Sequence, residues 1–328
     1  MLNMKRLKMT QLIYSTKCTS QPEFPDVFEL ASELKPLVKR EKDMVVLTGG
    51  NFSCLTKDGK VIQESTYFCE NTLFKNLSET QRIERLAGKW IICGNVGSQI
   101  GFYHWFYQAF SGLLLLKKSG LDLAEYNILV AKMPLWAQEY LRKIGVTNAT
   151  EIDDQTLYVV EDATFTNTMW GDFSYRPHEE LLSLYDDISV SGYNCISRKI
   201  YISRDDSVLR KIVNEHEVYS CLQKHGFKKI VLAECTIDEQ IALFRNATEI
   251  VAPHGAGLAN LVYAKPGIRL IELFGEVYLN KCFWAIAKKK NMDYLGLVNP
   301  MDPYSCQPNN IHFYNQIVDI DLLNNNIR

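Results

Sequence analysis

The chain has 328 residues, 47% of them hydrophobic and 23% charged, so it is too apolar for disorder and long enough for two domains. Lys plus Arg is 36 and Asp plus Glu is 38, a net charge of −2 that argues against a nucleic-acid grip over the whole surface and leaves room only for a local basic patch. The longest obvious apolar run, Leu113 to Leu116, is far short of the roughly 20 residues of a membrane span, and Lys5, Arg6 and Lys8 precede no stretch of signal-peptide length.

The nine cysteines stand singly with no CxxC pair, which reads as reduced, mostly buried thiols in a cytosolic chain without zinc or a disulfide framework. In chain order, Met44 to Leu47 is expected as a strand. Asn51 to Thr56 and Val61 to Phe68 follow as a hairpin across Asp58-Gly59. Lys89 to Cys93 is another strand. From Ser98 to Lys118, apolar residues at 102, 106, 109, 110, 113 and 114 have helical spacing, with Gly120 as the stop. Tyr126 to Ala131 is a strand, Pro134 to Lys143 a helix and Leu157 to Val160 a strand.

The second half alternates regularly. Strands are expected at Arg198 to Ser203, Lys229 to Ala233, Glu249 to Ala252, Ile268 to Leu273 and Tyr294 to Val298. Helices lie between them: one through Leu222, one opened by the capping box Thr236-x-x-Glu239, a short one after Leu258, and Leu279 to Lys290. Such alternation implies a parallel sheet with right-handed crossovers, whose ligands bind at the carboxyl ends of the strands. The Asn-rich tail from Asn299 is either a return segment or loosely ordered.

One of those strand ends is Pro253-His254-Gly255-Ala256-Gly257-Leu258. Two glycines around a small residue let a ligand approach the backbone, and the free N–H groups at a helix start make an anion site. It is neither a dinucleotide fingerprint, since Asn260 replaces the third glycine, nor a P-loop. A plain tight turn would need the same glycines. Arg204, just past the first strand of this half, can fork onto two phosphate oxygens in the same crevice, whereas Arg210 and Lys211, by their local sequence, read as a solvated helix face. Glu272 fits either a ribose hydroxyl or an edge-of-sheet ion pair. On the first-half helix, His104, Gln108 and Ser111 fall in one row opposite the apolar stripe. A neutral His104 near a helix start can act as a general base, although an ordinary amphipathic helix also has polar residues there. His178 and His312 are weaker candidates.

Together these residues resemble glycosyltransferase family 61. The resemblance runs through Ile200-Tyr201-Ile202-Ser203-Arg204, Arg210, Asn214-Glu215, Glu239-Gln240, Leu243-Phe244, Val251 to Leu261 and Ile271-Glu272-Leu273, and Phe102-Tyr103-His104-Trp105-Phe106 is similar to the family's N-terminal His-Trp motif. It implies an α/β chain with a GT-B fold: two Rossmann-like domains facing each other across a cleft, here 1–185 on the acceptor side, 186–300 binding the nucleotide sugar, and 301–328 as a tail returning to the first. It also implies inverting transfer from a nucleotide sugar, UDP-linked first, to a hydroxyl of a glycan or glycolipid. Arg204, Arg210, His254, Gly255, Ala256, Gly257, Leu258 and Glu272 are then the donor side, and His104 is catalytic. Gln108, Asp172, His178, Asn214 and Glu215 are secondary candidates.

Three departures stand out: Gly101 where the family has Asn, Gln108 where it has an acid, and Ser111-Gly112 where it has Pro-Arg. Gln108 cannot be a carboxylate base, which leaves His104 or an acid such as Asp172. The expectation is an enzyme of surface polysaccharide synthesis in the cytoplasm, peripheral at the inner face of the membrane, with no metal because cations and dipoles stabilise the leaving group. The rival readings are a catalytically silent sugar-nucleotide binder or assembly partner, and an unrelated nucleotide-dependent enzyme.

Overall fold

The computed structural model describes residues 13–15, 34–48, 52–66, 82–95, 97–98, 101–175, 177–190, 197–276, 278–305 and 314–328. His312, Val277 and residues 67–68 of the expected hairpin lie outside them. The chain divides into two compact units. One comprises Met1–Phe28, Asn194–Leu258 and Ala264–Arg328, and is called the C-terminal unit below. The other, the N-terminal unit, comprises Glu29–Tyr193 and Ala259–Tyr263. Each is built on a six-stranded sheet.

In the N-terminal unit the strands are β2 (Val38–Leu47), β3 (Ser53–Leu55), β4 (Arg82–Cys93), β5 (Asn127–Val130), β6 (Ala149–Glu151) and β7 (Thr156–Thr166); β1 (Ile13–Ser15) belongs to the other sheet. Four are parallel, in the order β6-β5-β4-β7; beyond β7, β2 pairs antiparallel with it and β3 pairs antiparallel with β2. The strand order reverses between β4 and β7. A continuous helix α1 (102–118) follows β4, and α2 (Leu135–Lys143) lies between β5 and β6. A further helix, α3 (Glu179–Ser183), follows β7. Phe52, Val46, Leu129, Val160 and Phe165 are among the residues of one buried core on this sheet.

The expected hairpin forms only at its turn. Thr56 to Lys60 close around Gly59 at φ +78°, and Leu55 bridges Val61. The chain then winds into the 3-10 turn Gln63–Ser65 rather than a second strand. Ser65 Oγ explains it, because it accepts the Cys54 N–H at 2.8 Å and donates to Ile62 O at 2.7 Å, taking backbone groups that a longer ladder would use.

In the C-terminal unit β8 (Lys199–Ile202), β9 (Lys228–Ile230), β10 (Glu249–Pro253), β11 (Arg269–Gly275) and β12 (Asp293–Asn299) are all parallel, in the order β9-β8-β10-β11-β12, and β1 pairs antiparallel with β12. Helices α4 (Glu215–Lys224), α5 (Ile237–Asn246) and α6 (Cys282–Lys289) cross over between them. Every residue of β10 is buried, as a strand covered on both faces requires. The Thr236 capping box is present, with Thr236 N donating to Glu239 Oε2 at 2.8 Å. Tyr201, Val218, Leu222, Val251 and Leu297 share a core with the final helix α7 (Ile320–Asn324). Residues 314–328 thus lie in the C-terminal unit, where a return to the N-terminal domain was one expectation. No helix among the described residues is long and apolar enough to cross a membrane.

Candidate functional site

The order β9-β8-β10-β11-β12 is the doubly wound order in which ligands lie where it reverses, between β8 and β10 at their carboxyl ends. Arg204 follows β8 and His254 follows β10 at that point. The Arg204 guanidinium donates from Nε to Leu209 O (3.1 Å), from Nη2 to Ser207 Oγ (2.8 Å) and from Nη1 to His254 O (3.4 Å). A Cβ on Gly255 would lie 1.7 Å from Arg204 Nη1, so the guanidinium rests directly on this glycine. The helix expected to carry Arg210 begins only at Glu215. Arg210 sits instead in the loop before it, at φ +54°, with its guanidinium 5.2 Å from the Tyr278 ring and its Nε buried without a partner among the described residues. Burial pulls Arg204 down to about 10, aided by repulsion from Arg210. Asp206 attracts Arg204 from nearby and partly offsets this, but neither guanidinium forms an ion pair with a carboxylate among the described residues.

His254 is buried against Phe274, Tyr278 and Phe283. Its Nδ1 lies 2.5 Å from Glu272 Oε1, and Tyr294 OH donates to Glu272 Oε2 at 2.8 Å. Glu272 is fully buried on β11, an inner strand, so the edge-of-sheet ion pair does not hold. Gly255 and Ala256 lead into the 3-10 helix Ala256–Tyr263, whose start includes Gly257 and Leu258; a Cβ on Gly257 would stand 2.6 Å from Leu232 Cδ1.

In the N-terminal unit the order reverses between β4 and β7, and polar residues converge after both. Asn95 and Ser98 bond reciprocally (Asn95 N to Ser98 Oγ 2.9 Å, Ser98 N to Asn95 Oδ1 2.8 Å), and Asn95 Nδ2 reaches Met169 O. Gln108 Nε2 donates to Trp170 O at 2.9 Å, and Gln108 Oε1 faces Asn95 Nδ2 at 3.4 Å. His104 Nδ1 is 3.2 Å from Ser174 Oγ. Burial drives the His104 imidazole down to about 4, against an opposing hydrogen bond with Gln108, so the ring is neutral at pH 7.

Gln108 and Ser111 are completely buried, contrary to the exposed polar row expected. The reason is that residues Trp105–Phe110 wind as a π-helix, a form concentrated at functional sites. The wider turn breaks the 3.6-residue spacing, and neighbours cover every side. Carbonyls in this segment also take side-chain donors: Phe106 O from Tyr185 OH (2.6 Å), Tyr107 O from Ser111 Oγ (2.7 Å), Gln108 O from Thr168 Oγ1 (2.8 Å) and Ala109 O from Cys93 Sγ (3.3 Å). Gly112 lies where a Cβ would be 2.6 Å from Thr166 Oγ1, leaving no room for a larger residue without rearrangement.

The family model for Glycosyltransferase 61 matches residues 102–271, just over half the chain, and so takes in His104, Gln108 and Ser174 of the first cluster and Arg204, Arg210 and His254 of the second. The chain belongs to glycosyltransferase family 61. Two curated relatives are similar over a shorter stretch. A beta-1,2-xylosyltransferase of Oryza sativa subsp. japonica is 27% identical over 134 residues, covering 36% of this chain and 25% of the relative. The beta-1,2-xylosyltransferase of Arabidopsis thaliana is 27% identical over 124 residues, covering 32% and 23%. The aligned stretch thus spans about a quarter of each relative's length.

In this family 61 chain the remaining candidates scatter. Glu215 accepts from Tyr201 OH (2.8 Å) and Ser203 Oγ (2.6 Å) and pairs with Lys229 (3.2 Å), supporting the strand end before Arg204. Asn214 clasps the tail through both backbone groups of Val318 (2.9 Å each). His178 caps α3 by accepting the Glu180 N–H at 3.2 Å. The backbone of Asp172 is in the 3-10 turn Gly171–Tyr175; its side chain lies outside the described residues. Sequence reasoning passed over Asn95, Ser98, Ser174 and Tyr294. The Asn-x-x-Ser spacing after a strand was a usable signal for the first two; the others are defined only by the fold. Among the described residues no group of three or more His, Cys, Asp or Glu is placed to hold a metal.

Proposed function

We propose that this chain is a glycosyltransferase of GT-B type that moves a sugar, with inversion, from a nucleoside-diphosphate donor to a hydroxyl of a glycan or glycolipid. The observation that carries the reading is the pair Arg204 and Arg210. They are two guanidiniums at the switch point of a doubly wound sheet, with no ion pair to a carboxylate among the described residues, and one has an orphaned buried Nε. Such an arrangement suits a diphosphate, whose oxygens supply the missing acceptors and whose departing charge the guanidiniums and turn amides stabilise.

The acceptor hydroxyl attacks the anomeric carbon while His104, held neutral by burial, takes its proton. Burial that pulls the imidazole down to about 4 makes His104 a neutral but weak base. The relatives' names make xylose the first sugar to try, carried on a nucleoside diphosphate with UDP tested first. Gln108 favours the second reading, a binder without turnover, because both ends of this non-ionisable side chain are engaged inside the unit.

The test is a thermal-shift panel of nucleoside diphosphates and nucleotide sugars on the wild type and Arg204→Ala, followed by a transfer assay with the best donor. A ligand at 100 times its Kd stabilises by about 2.7 kcal/mol. The reading expects one nucleotide to shift the wild type and not the variant. No shift with any nucleotide overturns it, and binding without transfer selects the second reading.

A further inference from the structure

Glu272 is fully buried, and both its oxygens already accept, Oε1 from His254 Nδ1 and Oε2 from Tyr294 OH, so it is not open to a ribose. We infer that Glu272 and Tyr294 are positioning residues: they hold His254 so that Nδ1 always carries a proton and Nε2 is the edge that meets the donor's diphosphate. The inference rests on the donor-site reading above and adds to it the device that prepares the histidine.

The geometry is that of a buried relay. Glu272 is on β11 and Tyr294 on β12, two neighbouring parallel strands; the carboxylate accepts from both sides and cannot rotate away from either partner. On the other side the ring is closed in by Phe274, Tyr278 and Phe283, which fix its plane and leave 7% of the side chain exposed. The backbone is fixed as well, since His254 N donates to Leu273 O at 2.8 Å and His254 O accepts from Arg204. Nε2 has no partner among the described residues. An imidazole whose Nδ1–H is committed to a carboxylate presents a defined nitrogen at its other edge. It meets a phosphate oxygen as a donor when that nitrogen is also protonated, and Glu272 is then the carboxylate that pairs with the ring's charge. The remaining charged or titratable groups around it are Arg204 on its carbonyl, the Tyr278 ring and Arg210 above that ring, so Glu272 is the anion in direct contact with the imidazole.

The experiment uses the full chain labelled with ¹⁵N at histidine. The probe is UDP, or the nucleoside diphosphate that the thermal-shift panel selects. In the wild type, the His254 imidazole spectrum is expected to show the proton on Nδ1 both without ligand and in the complex, with the Nε2 resonance moved by the ligand. Glu272→Gln lets an amide face the ring in either sense. It should give a tautomer mixture and at least about tenfold weaker binding, the loss expected for one hydrogen bond to a charged group. Tyr294→Phe, which removes only a hydroxyl, should weaken binding in the same direction by less. A His254 spectrum with Nε2 as the protonated nitrogen in the free wild type overturns the inference. So does a Glu272→Gln protein that binds with wild-type affinity, whatever its melting temperature, because the carboxylate then has only a packing role. If Glu272→Gln fails to fold, the wild-type spectrum and Tyr294→Phe decide. If the wild type binds no nucleoside diphosphate, the donor-site reading itself fails and takes this inference with it, an outcome distinct from the other two.

Discussion

Gly255 separates binding from stability in a way one substitution can expose. A methyl group there would start 1.7 Å from Arg204 Nη1 and 3.0 Å from its Cζ, so the guanidinium must leave. It can do so cheaply for the fold, since a flexible side chain swings outward and recovers water for the bonds it surrenders at Leu209 O, Ser207 Oγ and His254 O. The expected stability loss for Gly255→Ala is about 1 kcal/mol or less. Donor binding is different. A charge-assisted hydrogen bond removed from a ligand costs about 1.5–3 kcal/mol, which is about 10- to 150-fold in Kd. Gly257→Ala is the control: its methyl would be 2.6 Å from Leu232 Cδ1 and 3.8 Å from Ile202 Cγ2, an overpacking that costs about 1–3 kcal/mol of stability and leaves Arg204 in place. Calorimetric titration with the selected nucleotide and thermal unfolding of the two variants make the comparison. Unchanged affinity in Gly255→Ala, or equal losses of affinity in both, would refute the placement of the donor phosphates against Arg204.

Three further outcomes follow from the N-terminal unit. The folded His104 titrates near 4 instead of 6.5, so the unfolded chain takes up its proton first as pH falls. Stability is therefore full above pH 6.5 and drops by up to roughly 3 kcal/mol towards pH 4. Urea unfolding of His104→Gln should show a flatter profile in that window, and identical slopes would remove His104 as the cause. Gln108→Glu puts a carboxylate where an amide donates to Trp170 O. Protonated, it can still donate; ionised, it leaves that carbonyl unpaired, so the variant should be about 1–3 kcal/mol less stable at pH 8 than at pH 5 relative to wild type, and equal stability at the two pH values would count against the buried placement. Tyr185→Phe strips Phe106 O of its 2.6 Å donor and should lower stability by about 1–3 kcal/mol, read as a fall in melting temperature; no fall would mean the π turn does not depend on that bond.

The parallel half of the fold was legible because local signals there agree. Apolar runs such as Ile250-Val251-Ala252, the Thr236 capping box and glycines such as Gly226 and Gly267 (φ +83° and +80°) each point to the same alternation. Arg204 and the His254 turn could be placed for the same reason, as strand ends in a doubly wound sheet. The His104 row could not. Its geometry depends on a π turn whose donors, Cys93, Thr168 and Tyr185, come from elements far away in sequence, and helical periodicity has no term for them. Glu272 stands out in the sequence as a carboxylate within an apolar strand. Its partners were hidden, because Tyr294 reads as an ordinary strand aromatic until β11 and β12 lie side by side.

The sequence of the N-terminal unit lies inside that of its companion, and it borrows the pentapeptide Ala259–Tyr263 from beyond β10. Tyr263 is in ring contact with Phe106 and Tyr185. A ribosome therefore delivers the strands of the first sheet long before it delivers the last piece of that unit's aromatic core. β1 likewise waits for β12, to which it pairs at Ile13 and Leu297. Contacts so distant along the chain slow folding, and neither unit has all of its residues until synthesis has passed residue 258. The two units are consequently not consecutive pieces that a cut near residue 190 would release. A polypeptide truncated there lacks the segment that finishes one unit and nearly all of the other, so the chain has to be produced and folded as a whole.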